Sequence, residues 1–326
     1  MATIYDVAAA AGVSAATVSR VLNRGDASPA VAARVREAAE RLHYTPSRTA
    51  RSLRRRSSEV VALLIPDIEN PYFTELARGV SDVLNDAGYS LVLCNTDEDA
   101  DREREFLRVA DSENMAGVII APTAGSTLEP VMSSGRPVVT VDRLSLPEVD
   151  TVTMSNLEAG RSAAEHLFGL GRHRVACVTG PSGIETALAR AQGWRDATRA
   201  VTGADPDPAL LRHADFRVEG GREALDSLLA LPKPPDAVVA GNNLQGVGVL
   251  QAMSERGVSP AELAVAVIGA LPFTTISPTA VTVVRLPSRH MGSTAARMLL
   301  ERIAGDEQPA RTVVLRHVLE AAALPV

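Results

Sequence analysis

The sequence predicts an all-α helix-turn-helix headpiece followed by an α/β body of two doubly wound parallel-sheet subdomains. Two observations support this fold class. Small apolar residues recur at helical spacing through the first 46 residues, with a glycine between two of the patterns. Beyond residue 60, short apolar runs rich in β-branched residues alternate with helical patterns. The chain has 326 residues, which is long enough for one small domain and one large domain.

The headpiece contains three helical patterns in succession. Thr3 and Asp6 have the spacing of a capping box, and the apolar positions of the helix that follows are Ile4, Val7, Ala8 and Ala11. Gly12 permits a sharp turn, and Ser14 is a suitable N-cap for a second helix. Residues 28–46 predict a third helix that starts with a serine cap followed by proline. Three short helices of this kind build a miniature core.

The charge is distributed unevenly along the chain. The whole sequence carries a net charge of −6, but residues 1–56 hold ten arginines against four carboxylates, a net charge of +6. The remaining residues therefore carry −12. A basic head on an acidic body suits a protein that binds a polyanion through the head alone.

The outward face of the second helix is built from short side chains: Ala15, Ala16, Thr17, Ser19 and Arg20. Short residues let a helix lie deep in the major groove, where hydroxyl groups can bind phosphates and an arginine can bind a guanine edge. A small solvated helix has the same spacing, so the pattern favours DNA binding without excluding that alternative.

The segments TIYDVAAAAGVSAATVSRVLN and YTPSRTARSL resemble the lactose-repressor (LacI/GalR-type) family of bacterial transcription regulators. The resemblance implies a pseudo-palindromic DNA operator as the partner. It also implies that a basic hinge, residues 47–59, becomes helical on the operator while a leucine wedges into the minor groove. The residues expected to contact DNA are Thr3, Tyr5, Ser14, Ala15, Ala16, Thr17, Ser19, Arg20, Asn23, Arg48, Leu53 and Arg54.

The body shows the rhythm of parallel βαβ units. Its apolar runs are VVALLI (60–65), SLVLC (90–94), GVIIA (117–121), PVVTVD (137–142), VACVT (175–179), AVVAG (237–241) and LAVAVIG (263–269). Two halves of this kind predict two subdomains that hold a ligand at the carboxyl ends of their strands.

The same body contains IPDIENPYFTEL, TGPSG with ARAQGW, and AVVAGNNLQGVG, which resemble a periplasmic-binding-protein-like effector domain. The resemblance implies a headpiece over 1–46 and an effector-binding and dimerisation domain over 60–326. It implies chain crossings near residues 155, 285 and 311. The N-subdomain is then 60–155 plus 287–311, and the C-subdomain is 156–286 plus 312–326.

The candidate effector-binding residues follow predicted strands or occupy matched positions: Asp67, Asn70, Tyr72, Phe73, Asp142, Arg190, Phe216 and Asn243. For Tyr72 and Phe73 the alternative is a place in the core, and for Arg190 it is a bond to a neighbouring carboxylate. The family commonly has aspartates where this chain has Asn243 and Leu271. Because an aspartate accepts bonds from two adjacent sugar hydroxyls, their loss argues against an ordinary neutral sugar gripped at these positions.

Other classes of protein fit the sequence less well. We find no nucleophile, P-loop or zinc-protease motif and therefore expect neither enzyme activity nor a cofactor. A secreted solute-binding protein would need an export signal, and an architectural DNA binder would not need the acidic body. Cys94 and Cys177 lie in apolar runs and are expected to be free thiols. We expect a bacterial cytoplasmic homodimer without membrane contact, located on the nucleoid when bound to DNA. The effector is either an inducer or a corepressor.

Overall fold

The computed structural model describes residues 2–24, 27–44, 58–143, 148–271 and 280–322. The chain forms two compact units, Met1–Ser58 and Glu59–Val326. The first unit contains the headpiece and the second is the body. The predicted hinge, residues 47–59, lies outside the described residues except for Ser58 and Glu59.

The headpiece contains three helices, as the sequence predicts: α1 (Ile4–Ala11), α2 (Ala15–Arg24) and α3 (Pro29–Arg41). One fully buried valine from each helix forms the centre of its core, namely Val7, Val18 and Val35. The expected side-chain cap at Ser28 is wrong, because this side chain makes no cap hydrogen bond. The first turn of α3 instead closes on the backbone carbonyl of Ser28, which accepts from the N–H of Val31 at 3.0 Å.

The body contains two six-stranded sheets, and each sheet with its helices is called a lobe here. In lobe 1 the strand order is β11-β5-β4-β3-β1-β2, with all neighbours parallel. Its strands are β1 (Val60–Ile65), β2 (Ser90–Asn95), β3 (Gly117–Ile120), β4 (Val138–Val141), β5 (Asp150–Met154) and β11 (Thr312–Leu315). Its helices are α4 (Pro71–Asp86), α5 (Ala100–Ser112), α6 (Glu129–Met132) and α11 (Ser288–Ile303).

In lobe 2 the strand order is β12-β10-β9-β8-β6-β7, and only the edge strand β12 is antiparallel to its neighbour. Its strands are β6 (Val175–Thr179), β7 (Leu211–His213), β8 (Ala237–Ala240), β9 (Ala264–Ile268), β10 (Val281–Arg285) and β12 (Val318–Glu320). Its helices are α7 (Asn156–Gly169), α8 (Glu185–Thr202), α9 (Val218–Leu229) and α10 (Asn243–Arg256). The predicted class of two parallel-sheet α/β subdomains is confirmed.

The chain passes between the lobes three times. It enters lobe 2 between β5 and α7, returns to lobe 1 between β10 and α11, and leaves again between β11 and β12. The expected third crossing near residue 311 is wrong by several residues, because Thr312–Leu315 pairs in parallel with β5. That crossing occurs at residues 316–317, and β11 belongs to lobe 1.

Interior strands carry nearly continuous apolar sequence because helices cover both faces of a parallel sheet. Strands β3, β4, β6, β8 and β9 are buried along their whole lengths. Strand β2 differs, since it lies at the edge of lobe 1 and leaves Val92 and Leu93 exposed. The parallel arrangement also places the loops that follow β1, β4, β6 and β8 at the carboxyl ends of their strands, which is where ligands bind in such folds.

Candidate functional sites in the headpiece and the cleft

The junction of α1 and α2 is fixed by local hydrogen bonds. Thr3 donates its backbone N–H to Asp6 Oδ2 at 2.7 Å, and this bond lowers the pKa of the Asp6 carboxyl. Gly12 ends α1 in the left-handed conformation (φ 64°), which glycine adopts without strain. Ser14 Oγ then accepts from the N–H of Thr17 at 3.1 Å and caps α2. The predicted capping box, turn and second cap are all present.

The predicted DNA-contact residues differ in exposure. Tyr5 is 74% exposed, and Ser14, Ala16 and Arg20 are exposed as well. Thr17 and Ser19 are half-buried. The expectation that Ala15 lies on the outward face is only partly met, because the turn at Gly12 brings the start of α2 towards α1 and packs Ala15 partly against the headpiece core.

For four of the predicted DNA-contact residues, the position of the side chain on the headpiece is not described. Arg48, Leu53 and Arg54 lie outside the described residues, as does the side chain of Asn23. Their roles stay predictions. The hydroxyl groups of Ser14 and Thr17 lie 2.9 Å apart, so these two side chains are positioned together at the N-terminus of α2.

A cavity of about 370 Å³ lies between the two lobes of the body. It is lined by all eight predicted effector residues: Asp67, Asn70, Tyr72, Phe73, Asp142, Arg190, Phe216 and Asn243. Leu271 packs partly buried against the core and is not part of this lining. The cavity is within the range of small-molecule sites.

On the lobe 1 side, the cavity is lined by Asp142, whose carboxylate is hydrogen-bonded to Tyr72. The hydroxyl of Tyr72 donates to Asp142 Oδ1 at 2.7 Å. Burial raises the pKa of Tyr72 well above its ordinary value, and the neighbouring carboxylate raises it further, so the phenol stays protonated and remains a donor. Asp142 itself is buried and has a positive φ of 68°, an unusual conformation for a residue with a side chain. The protein holds this carboxylate in place against backbone strain.

Arg143, next to Asp142, also lines the cavity, although it is not among the effector-binding residues predicted from the sequence. Its guanidinium donates to Glu98 Oε2 at 2.8 Å and to the carbonyl of Pro122 at 3.0 Å. Burial works to lower the pKa of Arg143, but the Glu98 carboxylate holds it above its ordinary value. Its position directly after Asp142, at the end of the apolar run PVVTVD (137–142), was the signal in the sequence that could have identified it.

In lobe 2 the central polar group is Arg190, on α8. Its Nε donates to Asn156 Oδ1 at 2.9 Å and its Nη1 donates to the carbonyl of Gly241 at 2.7 Å. Both acceptors are neutral, so the alternative of a bond to a neighbouring carboxylate does not apply. Burial lowers the pKa of Arg190, because the charged form is poorly solvated there. Its Nη2 donates no hydrogen bond to the described residues, and it is the nitrogen left for a ligand.

The opposite wall is shaped by the segment around Phe216. A Cβ on Gly180 would lie 2.1 Å from the Phe216 ring, so a larger residue at this position would force the ring to move. Asn242 Nδ2 donates to the carbonyl of Phe216 at 2.9 Å, while its Oδ1 caps α10. Both amide groups of Asn242 are therefore used in holding the protein together, although this residue lines the cavity alongside Asn243.

Carboxylates outnumber guanidinium groups around the cavity. The carboxylates are Asp67, Asp97, Glu98, Asp142 and Asp215, and the guanidinium groups are Arg143, Arg190 and Arg217. Arg143 and Arg217 are paired with Glu98 and Asp97. Both hydrogen-bond donors and acceptors remain, which is the combination that hydroxyl groups bind.

A helix-turn-helix headpiece and a two-lobed body around a ligand-sized cleft define a DNA-binding transcriptional regulator with an effector-binding domain. Two family profiles match the chain. The one described as "Bacterial regulatory proteins, lacI family" matches residues 3–47, and the one described as "Periplasmic binding proteins and sugar binding domain of LacI family" matches residues 58–322. The chain belongs to the LacI family, as the sequence resemblance indicates.

Similar proteins extend over nearly the whole chain. The ribose operon repressor of Halalkalibacterium halodurans is 33% identical over 93% of this chain and 91% of its own length. The structure of a transcriptional regulator CelR–cellobiose complex has a TM-score of 0.74 at 27% identity, covering 98% of this chain and 99% of that one. A LacI family regulator from Enterococcus faecium with bound ribose has a TM-score of 0.72 at 27% identity, covering 82% of this chain and all of that one.

These relatives are transcriptional regulators rather than enzymes. Among the described residues, no helix is long and apolar enough to cross a membrane.

Proposed function

We propose that the chain is a dimeric repressor that acts by binding rather than by catalysis and is controlled by a small molecule in the cleft. The headpieces of two copies would each place α2 in a major groove, one helical turn apart on a pseudo-palindromic operator. The exposed residues of α2 and its flanks, Ser14, Ala16, Arg20 and Tyr5, support this assignment.

The dimer is supported by the edge of lobe 1. Among the described residues, strand β2 pairs only with β1, and Val92 and Leu93 on it are 39% and 36% exposed. Adjacent apolar side chains on an open sheet edge are a feature that a second copy can cover. A twofold axis at this edge would bring lobe 1 of one copy against lobe 1 of the other. Since the headpiece precedes lobe 1 in the chain, this arrangement suits two headpieces that bind neighbouring operator half-sites.

The observation that carries the effector proposal is that both lobes present hydrogen-bonding groups to the same cavity. Asp142 offers carboxylate oxygens, whereas Arg190 offers Nη2 and Asn243 offers its amide. A ligand with several hydroxyl groups can bind both lobes simultaneously and hold them closed. The names of the ribose operon repressor and the ribose-bound regulator support a ligand of the pentose class.

A second candidate effector is a molecule other than an ordinary neutral sugar. It is favoured by the amide at Asn243 and because, among the described residues, no carboxylate is hydrogen-bonded to Arg190. A sugar acid would pair its carboxylate with this guanidinium.

Isothermal titration calorimetry separates the two candidates. D-ribose and D-ribonate are titrated into wild-type protein and into Asn243→Ala. Tight binding of D-ribose that is lost in Asn243→Ala would refute the second candidate. Binding of D-ribonate alone would refute the first, and binding of neither would remove the pentose class.

Effector closure would alter the angle between the lobes at the three crossings and, through lobe 1, the spacing of the two headpieces. Couplings of this kind are typically about 1–3 kcal/mol. Both signs fit the geometry, so the effector acts either as an inducer or as a corepressor.

A further inference from the structure

One ion pair connects the two lobes across the rim of the cleft. Arg217, at the N-terminus of α9 in lobe 2, lies 2.6 Å from Asp97 Oδ1, in the loop after β2 of lobe 1. The two residues are 120 positions apart in sequence. Every other ion pair found among the described residues of the body stays within one lobe.

The lobe 2 end of this pair is held firmly. Gln245 Nε2 donates to the carbonyl of Asp215 at 2.7 Å, and Asn242 Nδ2 donates to the carbonyl of Phe216 at 2.9 Å. Two side chains of α10 and its cap therefore fix the two residues that precede Arg217. The backbone before Arg217 therefore stays with lobe 2 when the cleft opens, and only the Arg217 side chain can follow Asp97.

The lobe 1 end is also anchored. Asp97 and Glu98 both have left-handed backbone conformations, with φ values of 56° and 58°. Such conformations are unfavourable for residues with side chains and persist only when the surroundings impose them. Here the Glu98 carboxylate pairs with the buried Arg143, and this bond holds the turn next to the effector cavity.

We propose that Asp97 and Arg217 form a latch on the effector cleft. The backbones at the two ends belong to different lobes, so widening of the rim beyond the reach of the Arg217 side chain breaks the ion pair, and closure re-forms it. Asp97 and Arg217 also line the cavity, which places the latch where a ligand enters. The latch favours the closed arrangement before any effector binds and thereby adds to effector affinity.

The latch is weak and sensitive to salt. The side chains of Arg217 and Asp97 are 54% and 43% exposed, and ion pairs with this exposure shift an equilibrium by about two- to five-fold. Dissolved ions screen pairs of this kind. Raising the salt concentration should therefore open the cleft even when no ligand is present.

The test measures cleft opening without an effector, so its failure is separate from failure of the proposed function. Thr186 is 3% exposed and lines the cavity, and a cysteine at this position reports access to the interior. Thr186→Cys is made in a full-length chain carrying Cys94→Ser, and its reaction rate with uncharged N-ethylmaleimide is followed. Native Cys177 is buried, and burial raises the pKa of its thiol to about 12, so it reacts little.

The latch predicts that Arg217→Gln and Asp97→Asn each increase this rate about two- to five-fold, and that the double variant shows no further increase. It also predicts that adding roughly 0.5 M NaCl accelerates the reaction in the parent chain but not in Arg217→Gln. The matched control is Arg289→Gln, because Arg289 and Asp82 are also 2.6 Å apart but lie within lobe 1. This variant should react at the parent rate.

Equal rates in the parent chain and Arg217→Gln would overturn the proposal. An additive increase in the double variant would also overturn it, since two independent effects are then present. Rates are recorded across a pH range, so that a changed pKa of the introduced thiol is distinguished from a change in access. An increase explained entirely by that pKa would likewise count against the latch.

Discussion

Replacement of Arg190 by methionine tests the chemistry of the cleft most sharply. Methionine keeps an unbranched chain of similar volume but removes all guanidinium donors. The wild-type side chain is 5% exposed and gives Nε and Nη1 to protein acceptors, which leaves Nη2 for the effector. A charged donor to one ligand oxygen contributes about 1.5–3 kcal/mol, so effector affinity should fall about 10- to 150-fold.

The stability of Arg190→Met should change much less than its affinity. Two neutral acceptors lose their donor, which costs about 1–3 kcal/mol each, but a buried charge that is not hydrogen-bonded to a carboxylate is also removed. The two contributions oppose each other. Calorimetry with D-ribose and D-ribonate gives the affinity, and urea unfolding gives the stability. A folded variant that binds the wild-type ligand with undiminished affinity would refute the role of Arg190.

Three further predictions concern the wall, the scaffold and the dimer. Gly180→Ala should reduce effector affinity in calorimetry, because its Cβ would displace the Phe216 ring; unchanged affinity would contradict the packing argument. Asp150→Asn should destabilise the body by about 3–5 kcal/mol in urea unfolding, because two arginines lose a buried carboxylate. Burial raises the pKa of Asp150, but those arginines hold it below its ordinary value. The ionised Asp150 carboxylate therefore stabilises the folded state fully above about pH 4, and this stabilisation is lost as the pH falls through its folded pKa. If the free energies of unfolding of wild type and Asp150→Asn differed by the same amount at every pH, this explanation would be wrong. Leu93→Asp should yield monomers in sedimentation, whereas the exposed control Val201→Asp should stay dimeric.

The headpiece was predictable because its signals are local. A capping box, a glycine turn and an N-cap serine act over three or four residues, and all three are present at Thr3, Gly12 and Ser14. Ala15 was harder to place, because its packing depends on how α2 contacts the rest of the headpiece. That information is not contained in helical spacing alone.

The strands found from the sequence are those with continuous apolar runs. Strand β5 was missed because it reads DTVTM, and its polar side chains are buried by partners from distant segments. Asp150 is satisfied by Arg302 and Arg311, over 150 residues away. The third crossing was misplaced because the same long-range pairing places β11 beside β5.

The cleft was predictable where a side chain directly follows a strand, as Asp142 does after β4. It was not predictable where the loop conformation decides the position. Asp97 and Glu98 reach the rim through two successive left-handed residues, and neither residue type demands that conformation. Asp215 and Arg217 lie in an exposed loop, and their approach to the cleft depends on bonds from Asn242 and Gln245.

The central claim is that a ligand in the cleft controls DNA binding by the headpiece. It is tested most directly by fluorescence anisotropy on an operator selected by the protein from random-sequence DNA, with and without the ligand that calorimetry identifies. A coupling of about 1–3 kcal/mol predicts a 5- to 150-fold shift in operator Kd for the wild type. At a ligand concentration close to the wild-type effector Kd, Arg190→Met should show a much smaller shift than the wild type while retaining wild-type affinity for the operator without ligand. An operator Kd that saturating ligand leaves unchanged in the wild type would contradict the account.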